Sequence, residues 1–311
     1  MYRYCRVAFI GTFLFLCASS ATSAQLTVRN GSASDVAGIT GIRDQFRIDL
    51  GGGTTAGPNG LFDDGIRQRR EINWDAVGAG FSAPNNLPAD FFNVNSPRGA
   101  VFVPVGTTTA FQVSANAADG PINFGNIDVS YSTTFLQFSA QKLFTPLNGN
   151  QMDVRFFVPG TNIPGAVRGF GVIFTDVEQA GTTAIQFFGL NDESLGAFAT
   201  SPQPGGAGTT GFSFLGAFVT DGSHLITRAR IFLGNSALGA GVLDNGLDRD
   251  LVVMDDFIYG NPVAVPEPAS LAAIGMGLTG MLVWHRRRRK RSSKNARAVH
   301  RQPVKSSTVH T

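Results

Sequence analysis

The side chains that carry most enzyme chemistry are scarce in the body of this 311-residue chain. Between Gln25 and Val265 there is one histidine, His224, one lysine, Lys142, and no cysteine. A zinc site draws on several His or Cys ligands, so the inventory argues against zinc. A Schiff base would have to form on Lys142. A Ser-His-Asp triad would have to use His224, which follows the turn Thr220-Asp221-Gly222-Ser223 and reads as an exposed turn residue. GFSFLG at Gly211–Gly216 lacks both the spacing and the following helix of a nucleophile elbow. The Gly51–Gly53 run is followed by Pro58 and Asn59, where a phosphate-binding helix would have to begin, and it reads as a surface loop.

Carboxylates are the abundant chemistry. The same span holds 18 Asp and 3 Glu. Asp suits turns, and it is the hard oxygen ligand that Ca²⁺ prefers. The densest group is Asp244-Asn245-Gly246-Leu247-Asp248-Arg249-Asp250, followed by Asp255 and Asp256. Its spacing is not that of an EF-hand. Asp244, Asp248, Asp250 and Asp255 are the candidate ligands of a structural Ca²⁺. On a regular strand Asp255 and Asp256 face opposite sides, and Asp255 shares a side with Leu251, Val253, Phe257 and Tyr259. If that side is core, Asp255 needs Ca²⁺, an arginine or backbone donors as a partner. Glycoside hydrolysis requires two carboxylates, but Glu71, Glu178 and Glu193 lie far apart in sequence. Trp74, among the polar residues of REINWDAVG, is a candidate sugar contact, with a core tryptophan as the alternative.

The elements that must position these residues read as all-β. Short runs rich in β-branched and aromatic residues alternate with Gly, Pro, Asn and Asp. The expected strands are Gln45–Leu50, Ala100–Val105, Thr109–Ala115, Thr134–Gln141, Met152–Val158, Val167–Val177, Thr183–Leu190, Leu195–Thr200, Gly211–Val219, His224–Leu233 and Leu251–Tyr259. Met152, Val154 and Phe156 share one face, with Asp153 and Arg155 on the other. Arg228 and Arg230 point away from an apolar face in the same manner. No apolar-periodic helical run of 12 or more stands out. The pattern predicts one two-sheet, jelly-roll-like sandwich over residues 25–260, with most of its 23 Phe in the core. Residues 25–95, rich in Gly, Asn and Pro, read as a decorated edge of that sandwich, with a small loop-rich subdomain as the alternative. The closing DLVVMDDFIYG looks similar to the last strands of carbohydrate-binding-type jelly rolls, an analogy of fold alone.

The two ends have different chemistry. Arg3 and Arg6, the apolar run Val7–Ala18 and the small residues that follow form a secretory signal peptide over residues 1–24. Both cysteines of the chain, Cys5 and Cys17, lie inside it. At the other end, residues 261–268 are a linker ending in Val265-Pro266-Glu267-Pro268, stiffened by its prolines. The uncharged run 269–284 reads as a transmembrane helix. Residues 285–311 form a basic tail that begins with Arg286, Arg287, Arg288, Arg289, Lys290 and Arg291. The positive-inside rule puts this tail in the cytoplasm and residues 25–260 outside. Charge divides accordingly: a net of −8 from Gln25 to Val265 and +9 from Pro266 to Thr311. An acidic central domain does not attract phosphate backbones, so nucleic acid is not an expected partner.

Pro266-Glu267-Pro268, the apolar run and Arg286–Arg289, in that order, resemble the PEP-CTERM sorting signal of Gram-negative bacteria. The resemblance covers about the last 30 residues of the ordered pattern. It implies recognition by a membrane-embedded exosortase, processing near the motif, and release to the cell surface or its exopolysaccharide. Family members end soon after the arginines, whereas here Ser292–Thr311 continues beyond them. The expected function is therefore that of an exported surface or matrix protein without enzymatic activity, which meets the secretion machinery, an exosortase and, before processing, the membrane. A carbohydrate-binding module for exopolysaccharide is the alternative, and a secreted hydrolase comes third.

Overall fold

The computed structural model describes residues 26–265, except 52, 54 and 63–66. The expected signal peptide, the apolar run 269–284 expected to span the membrane and the basic tail lie outside the described residues. Among the described residues no helix is long and apolar enough to cross a membrane.

The described chain is mostly β. Its strands are β1 (Leu26–Ala33), β2 (Arg69–Ile72), β3 (Ala100–Pro104), β4 (Ala110–Val113), β5 (Phe144–Leu147), β6 (Gln151–Phe156), β7 (Gly165–Ala166), β8 (Gly169–Thr175), β9 (Ala184–Phe188), β10 (Ser194–Ala199), β11 (Phe212–Val219), β12 (Arg228–Phe232), β13 (Val253–Gly260) and β14 (Val263–Ala264). Three α-helices accompany them among the described residues: α1 (Val36–Leu50), α2 (Phe91–Val94) and α3 (Tyr131–Thr134). One antiparallel sheet runs β1-β11-β8-β13-β5-β4, with β2 also paired to β13. A second runs β10-β9-β12-β6-β3, and β14 pairs with β7 in a small third sheet.

The alternation of side chains builds the core between the two large sheets. Met152, Val154 and Phe156 of β6 and Ala229 and Ile231 of β12 point inward, where they join Phe170 and Val172 of β8, Leu215 of β11 and Phe257 and Tyr259 of β13 in one buried cluster. The intervening polar residues form a ladder on the other face of the smaller sheet. Asp153 there receives Arg228 at 3.1 Å and Arg230 at 2.7 Å, and the Arg228 guanidinium lies over the ring of Phe188.

Two of the expected strands are corrected. Gln45–Leu50 is the end of helix α1, and Thr134–Gln141 is the end of α3 and a loop. Helix α1 starts where the Asp35 carboxylate accepts a hydrogen bond from Gly38 N at 2.8 Å, and it stops at Gly51 with φ of 82°. Ile39, Ile42, Phe46 and Leu50 recur at helical spacing, but Gly38 and Gly41 dilute the stripe, and this hides the helix from a search for long apolar runs. The helix covers the outer face of the larger sheet through Ile39, Phe46 and Leu50, which pack on Ile173, Phe214, Phe218 and Ile258.

The Phe46 ring needs two missing side chains. Gly171 of β8 and Gly216 of β11 are directly paired. A Cβ on either would stand 2.9 Å and 2.8 Å, respectively, from ring carbons of Phe46. Gly216→Ala is therefore expected to overpack this contact and cost about 1–3 kcal/mol. Urea unfolding of the variant checks this, and an unchanged midpoint would show that α1 can shift without penalty.

Candidate functional site

Carboxylates gather where two loops meet at the end of β8. Asp176 and Glu178 follow β8 directly, and Asp244 and Asp250 come from the loop between β12 and β13. One carboxylate oxygen each from Glu178, Asp244 and Asp250 lies within 4.8 Å of the others. The adjoining cleft, about 220 Å³, is lined by Asp176, Glu178, Asp244, Thr133, Thr134 and Thr209 among others.

Local structure fixes each of these groups. The Asn245 side chain accepts hydrogen bonds from the backbone N–H groups of Leu247, Asp248 and Arg249, which folds the loop into a tight turn. The two oxygens of Asp244 accept from Gly246 N at 2.9 Å and Leu251 N at 2.8 Å. Asp250 reaches across to the other loop, where it accepts from Glu178 N at 3.0 Å and from the Thr182 hydroxyl. Gly246 has φ of 61°, and a Cβ there would overlap Glu178 Oε2 and Ala207. A glycine at 246 lets the turn close onto the glutamate.

The electrostatics are unfavourable for four bare anions. Asp250 is fully buried, Asp176 nearly so, and Glu178 is 9 % exposed. Burial pushes Asp176 up to about 8, against a hydrogen bond from Gln203 and with added repulsion from Asp244, Glu178 and Asp250. Burial and the neighbouring Asp244 push Glu178 to about 7, and burial also raises Asp250. Glu178 Oε1 accepts from Gly208 N at 2.6 Å, whereas the buried Oε2 has no hydrogen-bond partner. The arginines of the described ion pairs stand elsewhere, on Asp44, Asp49, Glu71, Asp153 and Asp192.

Of the four aspartates read from sequence as calcium ligands, the fold brings Asp244 and Asp250 together. Asp248 is exposed on the turn. The Asp255 carboxylate is fully buried and turns to another partner set, accepting from Phe138 N at 2.7 Å and Ser139 N at 3.2 Å. The ladder register shifts between Met254 and Phe257, so β13 carries an extra residue there. This bulge overturns the expectation that Asp255 and Asp256 face opposite sides: Ser139 Oγ lies 2.9 Å from Asp255 and 2.8 Å from Asp256. It also splits the expected apolar side. Phe257 and Tyr259 enter the core between the sheets, while Leu251 and Val253 join a separate cluster with Phe124 and Tyr131.

Glu178 and Asp176 were missed as members of the cluster. Their spacing of two at the end of an apolar strand was the available signal, since such residues can share one side of the chain. Trp74 is corrected as a sugar contact. It is 1 % exposed and stacks on Phe144 at 4.1 Å, so it presents no face to a ligand.

Pro266, Glu267, Pro268 and Arg286–Arg291 lie outside the described residues. Just before them, β14 docks on β7, and Val265 N donates to Pro164 O at 3.0 Å. Residues 264–289 match the family model of the PEP-CTERM protein-sorting motif. The chain thus carries the signal of an exported protein sorted at the membrane by an exosortase. No curated protein and no solved structure matches it.

Proposed function

We infer that this protein is delivered to the cell surface by exosortase processing and that its β domain acts there as a structural or interaction module without enzymatic activity. The match of residues 264–289 to the sorting motif carries this reading. The order of parts supports the route: a stiff proline segment, an apolar run of 16 residues and a basic block after it. A proline-fixed extended segment can enter a protease site that a helix cannot. Gly275, Gly277 and Gly280 dilute the apolar run, which suits a temporary anchor.

Two antiparallel sheets around a shared core support a jelly-roll-like sandwich for the displayed domain. Its lysine is poorly placed for catalysis, because the Lys142 ammonium is buried against the Val77 carbonyl. His224, expected as an exposed turn residue, is instead half-buried in a cleft beside Arg168, and burial together with that arginine shifts it down. A nucleophile–histidine–carboxylate arrangement is not built around it among the described residues. The burial of Trp74 removes the aromatic residue on which a sugar-binding reading rested.

Replacing Pro266, Glu267 and Pro268 together by alanine tests the route in the native host. The variant is expected to accumulate as a longer, membrane-bound form, while the parent appears outside the inner membrane without Arg286–Thr311. Mass spectrometry that finds the intact C-terminus on surface-released parent protein would overturn the reading.

A further inference from the structure

The geometry points to a Ca²⁺ site in which Glu178, Asp244 and Asp250 hold one ion and tie the loop after β8 to the loop before β13. The oxygens offered by these residues lie within 4.8 Å of one another. Oxygens on opposite sides of a calcium ion stand about 4.6–5.2 Å apart, given Ca–O distances of about 2.3–2.6 Å. The three carboxylates can therefore share one coordination sphere.

A second observation concerns the glutamate oxygen that stands against Gly246, two residues from Asp244. Glu178 is nine-tenths buried, and its Oε2 has no hydrogen-bond donor. A buried carboxylate oxygen without a partner is costly, and a cation facing it removes the cost. The other two carboxylates are already aimed. Asp244 is held through both oxygens by Gly246 and Leu251 N–H groups, and Asp250 by Glu178 N and Thr182. Each of these oxygens keeps lone-pair capacity for a metal. Asp176 lines the same cleft and adds a fourth carboxyl group.

The donor chemistry selects the ion. Carboxylates on irregular loops, without His or Cys, suit a hard cation. Mg²⁺ keeps most of its waters and takes one or two protein carboxylates, whereas a cage of three or four carboxylates is the habit of Ca²⁺. The site does not depend on how the protein is sorted.

Calorimetric titration of the chelator-treated full-length chain in detergent with CaCl₂, paired with thermal unfolding in Ca²⁺, Mg²⁺ or EDTA, tests the assignment. One Ca²⁺ should bind per chain and raise Tm above the EDTA value, because a ligand that binds only the folded state stabilises it. Glu178→Gln and Asp244→Asn should each weaken Ca²⁺ binding at least about tenfold, since affinity follows the ligand charge count. In EDTA, Glu178→Gln should melt no lower than the parent, because it removes an unpaired buried charge, and the order should reverse in Ca²⁺. If Glu178→Gln does not fold, Asp244→Asn carries the test. Equal Tm in Ca²⁺ and EDTA with no heat of binding would overturn the site and leave a proton between Glu178 and Asp244 instead. Ca²⁺ binding untouched by both substitutions would place the ion elsewhere, and Mg²⁺ binding as tight as Ca²⁺ would overturn the choice of ion.

Discussion

Trp74→Ala is expected to remove roughly 3–5 kcal/mol of stability, the range for deleting a large buried aromatic. Trp74 sits at the centre of the largest ring cluster. It stacks on Phe144 at 4.1 Å with planes 12° apart, and it meets Phe257 at 5.0 Å and Phe92 at 5.4 Å edge-on. These rings come from β5, β13 and α2, so one cavity would loosen three elements. Trp74 also performs a polar task. At the bulge β13 exchanges β5, which it meets at Met254, for β2, which it meets from Phe257 onward. The Asp255 carbonyl falls in that gap, and Trp74 Nε1 donates to it at 2.6 Å. Alanine would leave this buried carbonyl without a partner. Trp74→Phe keeps most of the ring packing and loses the donor, so it should cost about 1–3 kcal/mol. Domains are stable by only about 5–15 kcal/mol, so Trp74→Ala should lose a large share of the total and unfold at a clearly lower urea concentration. Urea unfolding of the two variants checks the order. Equal losses would mean that the hydrogen bond, and not the packing, dominates.

Strands with clean alternation were legible in the sequence because one face is core and the other is wet. Met152–Phe156 and Arg228–Phe232 are such strands. Strand β1 was not, since Asn30-Gly31-Ser32 reads as a turn. It is a strand because β11 supplies a full ladder from Leu26↔Val219 to Ala33↔Phe212, and tertiary pairing overrides weak intrinsic preference. Gly31 has a packing reason as well: a Cβ there would stand 3.0 Å from Ile42 of α1. The carboxylate cluster was half legible. Asp244 and Asp250 lie in one acidic run, but Glu178 and Asp176 join them only through the fold, and composition cannot show that β8 and β13 are neighbours. The sorting motif was legible because it is a linear pattern of local chemistry, which needs no tertiary contact to be recognised.

The β13 bulge also sets the second large effect, on the pH dependence of stability. Ser139 Oγ lies within 2.9 Å of a carboxylate oxygen of both Asp255 and Asp256. A hydroxyl has one proton to donate, so one of the two carboxyls must supply a proton of its own. Burial, and then the charge of Asp256, hold Asp255 well above the usual carboxylate range. Burial raises Asp256 too, while hydrogen bonds from Asp255 and Ser139 and the charge of Arg47 pull it back and Glu71 adds repulsion. Of the two, Asp255 is the carboxyl for which burial and the neighbouring charge favour that proton. In the unfolded chain the same carboxyl ionises near about pH 3.9. From there up to its folded value the folded protein binds one more proton, so stability falls as pH rises, by about 1.4 kcal/mol per pH unit. Asp255→Asn keeps an oxygen that can accept from Phe138 N and Ser139 N and an amide that can donate to Ser139, but it has no proton to lose. Urea midpoints at pH 5, 6 and 7 should show the parent losing stability relative to Asp255→Asn as pH rises, at up to about 1.4 kcal/mol per pH unit below the folded value of Asp255. The raised carboxylates away from the bulge, Asp75, Asp176, Glu178 and Asp250, titrate in both proteins and cancel in the difference. Parallel profiles for the two proteins would mean that Asp255 is ionised in the fold and that no proton is shared at the bulge.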